Sequence, residues 1–380
     1  MDKKPKRMVP EVRFKGFTDD WEQRKFKNSV SRITKHDNNS DLPHIEYENI
    51  NSGMGSLKNR ISELHTEKDG VVFQKNDILF GKLRPYLKNW YFANFDGIAV
   101  GDFWILRSDN IYPKFVYYLI QTEKFFSISN LSSGSKMPRS DWNLVSNYKF
   151  QFPQKIQESM NIGQLLSVLD KLLSLQQRKL EQLKQLKKAM LQKISNHKLM
   201  VDDKEYENMK VKVADIYTVT RGNVLAKGKI SPQKSNKYLY PVYSSQTKND
   251  GLMGYYEKYL FENAITWTTD GANAGTVKYR EGKFYSTNVN GVLLSNKGYA
   301  NKLAASLLNQ VAFKYVSHVG NPKLMNNVMK EITFQIPKNV KVQIKLSKYL
   351  ALLEKSIDNQ LVIENEYKKL RKFLLQKLFI

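Results

Sequence analysis

Cysteine is absent from this chain of 380 residues, which removes disulfides, thiolate zinc ligands and thiol nucleophiles together and suits a reducing compartment. Long apolar runs are missing as well. No stretch of 18 apolar residues occurs, which argues against a membrane-spanning helix, and the start, MDKKPKRMVPEVRF, is basic without the apolar segment of a secretory signal. Acidic residues are the scarcer charge, 36 against 61 Lys and Arg, leaving a formal net charge of +25. With 12% aromatic residues that basicity belongs to a folded chain and not to a disordered tail. A folded basic protein expects a polyanionic partner, nucleic acid ahead of membrane, and a cytoplasmic location.

Catalytic patterns are equally scarce. The five histidines, His36, His44, His65, His197 and His318, are scattered, with no HExxH and no carboxylate partner at ligand spacing. GNVLAKGKI from Gly222 has one residue too many before Gly228 and Lys229 and lacks the magnesium-binding Ser or Thr of a P-loop. DGANAG from Asp270 lies between two strand candidates, where a hairpin turn fits better than a nucleotide cradle. No N-P-P-[YFW] tetrad of an amino-methyltransferase is present; GNPK at Gly320 is a partial echo. These absences predict a non-catalytic chain with no metal site of its own.

What the chain does contain is one long phrase written twice. FQFPQKIQESMNIGQLLSVLDKLLSLQQRKLEQLKQLKKAMLQKIS, from Phe150, lies without a gap over FQIPKNVKVQIKLSKYLALLEKSIDNQLVIENEYKKLRKFLLQKLF, from Phe334, at a constant offset of 184 residues. Its period is helical. A heptad frame starting at Ile162 puts Ile162, Leu169, Gln176, Leu183 and Met190 at a, with Leu165, Leu172, Lys179, Leu186 and Lys193 at d. The second copy reads Leu346, Leu353, Gln360, Tyr367 and Leu374 at a, with Tyr349, Ser356, Ile363, Leu370 and Lys377 at d. Gln176 and Gln360 share one a position, where a lone polar residue sets helix register. Helices of about 35 to 40 residues run roughly 50 to 60 Å, long enough to act as spacers. Two separate amphipathic helices remain the alternative; repetition in register favours mutual pairing.

Composition changes between the helices. Residues 21–153 and 210–337 are rich in Tyr, Phe, Val, Asn and Gly, with short strand-like runs such as GVVFQKNDILFGKL and NAITWTTDGANAGTVKY. Each region ends with a short helical segment, YPKFVYYLIQTEKFF or ANKLAASLLNQVAF, then a polar loop, SNLSSGSKMPRSDW or SHVGNPKLMNN, then the F-Q-x-P entrance to the long helix. The expected division is a leader over 1–20, a first domain over 21–153, a spacer helix over 154–195, a linker over 196–209, a second domain over 210–337 and a second spacer helix over 338–380.

With the leader VPEVRFKGFTDDWEQRK, two divergent halves and two similar helices ending LQKI and LQKL, nearly the whole chain resembles the specificity subunit of type I restriction and modification systems. The resemblance implies an α+β fold in which two mainly-β target recognition domains are joined by two long helices pairing as an antiparallel coiled coil, a pseudo-twofold internal repeat. It further implies that each domain reads one half of a split double-stranded DNA target, and that the helices dock DNA methyltransferase subunits, two of them, with restriction subunits in the same complex. S-adenosylmethionine, ATP and magnesium would then belong to partner subunits, with no cofactor in this chain. Lys184, Lys187 and Lys188 are the expected docking face on the first helix.

A bipartite reader needs two modules at a fixed separation, because groove faces recur with the helical turn. Lys and Arg supply phosphate affinity, and Asn, Gln, Ser, Thr and Arg on loops supply base-edge contacts. In the first domain the candidates are Lys82 and Arg84 in FGKLRPY and Ser133, Ser135, Lys136 and Arg139 in the later loop. In the second they are Arg221 and Asn223 in TRGNVLAKG, Ser244, Ser245, Gln246 and Lys248 in YSSQTKND, Thr269, Asn321 and Lys323. Any one of these, alone, also fits a solvated loop position. Two other classes compete: a self-contained methyltransferase or nuclease with an unrecognised site, and a basic architectural protein that binds all duplexes alike.

Overall fold

The computed structural model describes residues 8–131, 137–196, 206–245 and 248–380. Two compact units divide the chain, one running to Gln177 and taking in Val362–Ile380, the other being Arg178–Leu361. Each unit therefore combines one globular domain with a stretch of both long helices, where the sequence suggested domains and spacers as separate blocks.

The first globular domain contains β1 (Glu22–Lys25), β2 (Val30–Ile33), β3 (His36–Asp37), β4 (His44–Ile45), β5 (Ile50–Asn51), β6 (Ser56–Leu57), β7 (Gly70–Phe73), β8 (Ile78–Gly81), β9 (Trp90–Phe92), β10 (Gly97–Ala99) and β11 (Phe103–Ser108). Then come α1 (Pro113–Leu119), α2 (Glu123–Ser129), α3 (Trp142–Asn147), β12 (Lys149–Phe152) and the long α4 (Ile156–Ser195). One sheet has the order β2-β11-β8-β9 and another β3-β7-β10-β4, in which β10 and β4 run parallel. Strand alternation buries both faces of the first sheet. Ile78 and Phe80 of β8 with Trp104 and Leu106 of β11 face a core shared with α1 and α2, while Leu79, Phe103 and Ile105 face a second core with Ile45 and Phe73. Side chains on Thr122 and Asp141 accept backbone N–H groups at the starts of α2 and α3 and so fix where those helices begin. The leader is structural: Trp21 packs edge-on to Phe115 at 5.7 Å, and Arg13 forms a two-pronged pair with Glu158 at 2.6 and 2.9 Å. The C-terminal Leu378 and Phe379 complete the same core.

The second domain contains β13 (Asn208–Lys212), α5 (Val213–Ile216), β14 (Thr218–Arg221), β15 (Tyr240–Tyr243), β16 (Leu252–Tyr256), β17 (Phe261–Thr268), β18 (Val277–Ser286) and β19 (Asn290–Leu294). After these follow α6 (Lys302–Ala312), α7 (Asn326–Glu331), β20 (Thr333–Pro337) and the long α8 (Val340–Lys377). Six strands form one sheet of order β14-β19-β17-β18-β15-β16. The DGANAG stretch connects β17 to β18, as its turn chemistry predicted. Each domain is closed at its base by one antiparallel pair, β1 with β12 and β13 with β20, and β12 and β20 are the strands that lead into the long helices.

Burial along the two helices follows the predicted a positions but not the predicted d positions. Between Ile162 and Leu180 of α4 the buried side chains are Ile162, Leu166, Leu169, Leu173 and Leu180; along α8 they are Gln343, Leu346, Leu350, Gln360 and Glu364. With the half-buried Gln176, Leu353 and Ile357 included, that stripe advances by alternate steps of three and four residues, but its second member is the residue after the expected d. Leu166 is 0% exposed and Leu165 36%; Leu350 is 0% exposed and Tyr349 48%. An apolar seam with a 3.5-residue mean period is satisfied by the residue three or four after a, and Val168, Leu175 and Leu352 supply enough outward apolar residues to make both frames look alike in sequence. In the first unit the run is antiparallel: Asp170 meets Arg371 and Gln177 meets Glu364, so one helix advances as the other returns. Gln360 is buried and Gln176 half-buried on this seam.

Candidate nucleic-acid interface

In the first domain Lys82, Leu83 and Arg84 follow the end of β8 and are met from two sides. The Lys82 N–H donates to the Asp102 carbonyl at 2.9 Å, the Ser140 N–H donates to the Lys82 carbonyl at 2.8 Å, and the Arg84 N–H donates to the Pro138 carbonyl at 2.7 Å. These bonds bring three predicted residues, Lys82, Arg84 and Arg139, onto one rim. Asp102 sits among them, accepting from the Arg139 guanidinium at 2.8 Å and lying 3.6 Å from the Lys82 ammonium. Beneath, the Tyr47 hydroxyl donates to the Asp102 carbonyl and accepts from the Leu83 N–H at 3.2 Å; burial pushes that phenol well above its ordinary value. Arg84 adopts left-handed backbone at φ 50°, uncommon outside glycine, and its Nε is buried without a hydrogen-bond partner among the described residues. Ser133, Ser135 and Lys136 lie outside the described residues.

The second domain builds the same rim from other side chains. Thr269 N–H donates to the Val289 carbonyl at 3.4 Å, Leu324 N–H to the Thr269 carbonyl at 2.8 Å, and Gly271 N–H to the Pro322 carbonyl at 3.0 Å. Thr269 thus stands where Lys82 stands, Gly271 where Arg84 stands, and Pro322-Lys323 where Pro138-Arg139 stand. Gly271, at φ 94°, takes the left-handed position that Arg84 is held in. The Trp267 indole N–H donates to the Leu324 carbonyl at 2.9 Å and clamps the later loop from below. One scaffold of backbone hydrogen bonds therefore displays two different sets of side chains.

Further predicted residues gather at this second rim. Asn223 N–H donates to the Ser286 carbonyl at 3.0 Å, Thr287 N–H to the Tyr243 carbonyl at 2.9 Å, and the Thr287 hydroxyl to the Ser244 hydroxyl at 3.0 Å, which links the ends of β14 and β15 to the turn before β19. Arg221, Asn223, Asn321 and Lys323 are exposed, and Ser244 and Ser245 half-buried. Thr269 differs from expectation. It is 7% exposed, and its hydroxyl is engaged with the Val289 carbonyl and the Asp270 carboxylate, so it holds the loop instead of facing outward. Gln246 and the Lys248 side chain lie outside the described residues.

Two features escaped the sequence reading. Arg280 on β18 is 6% exposed, stacks 3.8 Å over Tyr243 and donates to Asp250 at 2.7 Å, a buried cation beneath the rim whose burial pulls it below its ordinary value. Arg280 lies on a strand and not in a loop, and an arginine at an inward register of a strand is itself a signal. The stretch joining β14 to β15 also exposes Lys227, Lys229, Lys234 and Lys237, a basic run plain in the sequence. Among the described residues no group of three or more His, Asp or Glu is placed to hold a metal, and no helix is long and apolar enough to cross a membrane.

The profile of the type I restriction modification DNA specificity domain matches residues 18–185 and 205–366. Among similar proteins of Mycoplasma pneumoniae, a type I specificity subunit is 35% identical over 206 residues, covering 53% of this chain and 81% of its own length. A type I specificity subunit N-terminus from the same organism is 39% identical over 142 residues, covering 37% of this chain and 74% of its own length. The crystal structure of a type I restriction-modification S subunit from M. genitalium superposes with a TM-score of 0.68 at 16% identity, covering 98% of this chain and 99% of that one, a likeness of fold.

Proposed function

Since the chain belongs to the type I restriction modification DNA specificity family, carrying two DNA-recognition domains in a non-catalytic subunit, we propose that it reads a split DNA target, one domain to each half. The observation that supports this reading is the duplicated rim: three equivalent backbone hydrogen bonds in each unit present Lys82, Arg84 and Arg139 in one and Gly271 and Lys323 in the other. A single uniform target would have no use for two geometrically alike rims with different faces, and neither would indifferent binding of any duplex. The contact set comprises Lys82, Arg84 and Arg139, then Arg221, Asn223, Ser244, Ser245, Asn321 and Lys323, with Lys227 to Lys237 supplying phosphate affinity.

Methyltransferase subunits, two of them, and restriction subunits dock along the helices, and S-adenosylmethionine, ATP and magnesium act in those partners. Lys184 and Lys188 are exposed and suit docking, whereas Lys187 is held by Glu354 at 2.6 Å and is withdrawn from that face.

Co-expression with the neighbouring methyltransferase subunit, followed by single-molecule sequencing of methylated adenines, tests the reading. Two defined half-sites around one fixed gap are the expected result. Methylation without a shared split motif, from an intact complex, overturns it in favour of the architectural alternative. Arg139→Ala and Lys323→Ala separate roles within it: a base contact relaxes one position of one half-site, and a phosphate contact lowers the salt slope by about 0.9 at an unchanged motif.

A further inference from the structure

Each unit contains a three-part polar junction where its domain meets the two long helices. In the first, the Asp170 carboxylate of α4 accepts from the Arg371 guanidinium of α8 and from the Tyr118 hydroxyl of α1 at 3.0 Å. Arg371 also donates to Gln121 at 2.7 Å. In the second unit, the Glu354 carboxylate of α8 accepts from the Lys187 ammonium of α4 at 2.6 Å and pairs with the Lys302 ammonium of α6 at 2.6 Å.

The two junctions share two positions and the role of the third. The 184-residue offset of the repeat carries Asp170 to Glu354 and Lys187 to Arg371, while the third partner comes from the last turn of α1 in one unit, Tyr118, and from the first residue of α6 in the other, Lys302. In each, a carboxylate on the helix that leads out of the domain is shared between a cation on the antiparallel helix and a donor on the domain's own helix. The residue types change, Asp to Glu, Arg to Lys and Tyr to Lys, while the carboxylate, the cross-helix cation and the domain donor are kept. Exposed ion pairs contribute little, but here the four charged side chains of the two cross-helix pairs are only 22% to 32% exposed, and each carboxylate has two partners.

We infer that this junction is one lock used twice, fixing the register of the helix pair and the attitude of each domain upon it, so that Asp170, Arg371, Glu354 and Lys187 are positioning residues for the spacing of the half-sites. The inference rests on the bipartite reading. An apolar seam with a 3.5-residue period is self-similar under a slip of one heptad, about 10.5 Å along the axis, or roughly three base-pair rises, and charge pairs at single positions break that degeneracy. A domain released from its lock rocks on its helices and accepts its half-site at other distances.

The test uses the full chain co-expressed with the methyltransferase subunit, comparing wild type with Asp170→Arg, Arg371→Asp and the exchange carrying both, and in parallel Glu354→Lys, Lys187→Glu and their exchange. Two readouts are taken, the distribution of gap lengths among methylated sites and the thermal midpoint. Single reversals should methylate sites with additional gap lengths and lower the midpoint, and the exchange should restore one gap and most of the midpoint. A part that only stabilises the fold would reduce methylation at all sites alike and leave the gap single. Reversals that keep one gap, or exchanges that restore neither readout, overturn the inference; if a reversal is insoluble, Asp170→Asn and Glu354→Gln decide by the same criterion. Wild type without a split motif sinks the bipartite reading instead, and the midpoints of singles and exchange still decide the lock.

Discussion

Adjacent leucines on α4 give the sharpest test of the helix seam. Leu165 and Leu166 share one helix and one residue type, so Leu→Ala changes helix propensity equally at both and the difference between them reports packing alone. Leu166 is fully buried beside Ile162 in the core that also takes in Leu378 and Phe379. Truncation there leaves a closed cavity and costs about 3 kcal/mol, within the range of buried Leu→Ala changes. At Leu165, which is 36% exposed, the gap opens to solvent and the cost is about 1 kcal/mol. A unit of this size shifts Tm by about 2 to 4 °C per kcal/mol, so Leu166→Ala should fall by about 6 to 12 °C and Leu165→Ala by no more than about 4 °C. Trp21, Trp90, Trp104 and Trp142 lie in the first unit against Trp267 alone in the second, so tryptophan fluorescence follows the unit that is perturbed. Equal losses, or a larger loss at Leu165, would refute the seam and return the pairing to the frame first expected from sequence.

Other outcomes follow from single sites. Burial raises the Glu354 carboxyl, but Lys187 and Lys302 outweigh it and leave the group below its ordinary 4.5; its stabilisation is complete above that value and is lost as pH falls below it. Glu354→Gln should therefore flatten the urea midpoint against pH between about pH 5 and pH 3, and an unchanged slope would show the pairs to be absent. Gly291→Ala places a methyl about 2.0 Å from the Trp267 ring, so it should cost about 1 to 3 kcal/mol and disturb the Trp267 fluorescence; a neutral result would contradict the packing of β19 on β17. Arg84→Gly relieves left-handed backbone by about 1 kcal/mol while adding a similar chain-entropy cost, so stability should hold within about 0.5 kcal/mol while cognate DNA affinity drops. Parallel loss of both would make Arg84 a folding residue and remove it from the contact set.

Much of this protein could be read from its sequence. The repeat, the two long helices, the strand-rich halves and the basic surface are carried by periodicity and composition, which act locally and survive divergence of individual residues. The a positions were legible for the same reason; the second seam position was not, because Leu165 and Leu166 are chemically identical and only the partner surface chooses between them. Loop candidates such as Arg221, Asn223 and Lys323 were recognisable by residue type, yet Thr269 turned inward and Arg280, on a strand, lay beneath the rim, since burial is a property of the folded neighbourhood. The equivalence of Arg139 with Lys323 as rim residues, and the pairing of Asp170 with Arg371 and of Glu354 with Lys187, needed tertiary structure. Backbone hydrogen bonds between distant loops and ion pairs between antiparallel helices join residues that the chain keeps up to 201 positions apart, and no local pattern encodes such a meeting.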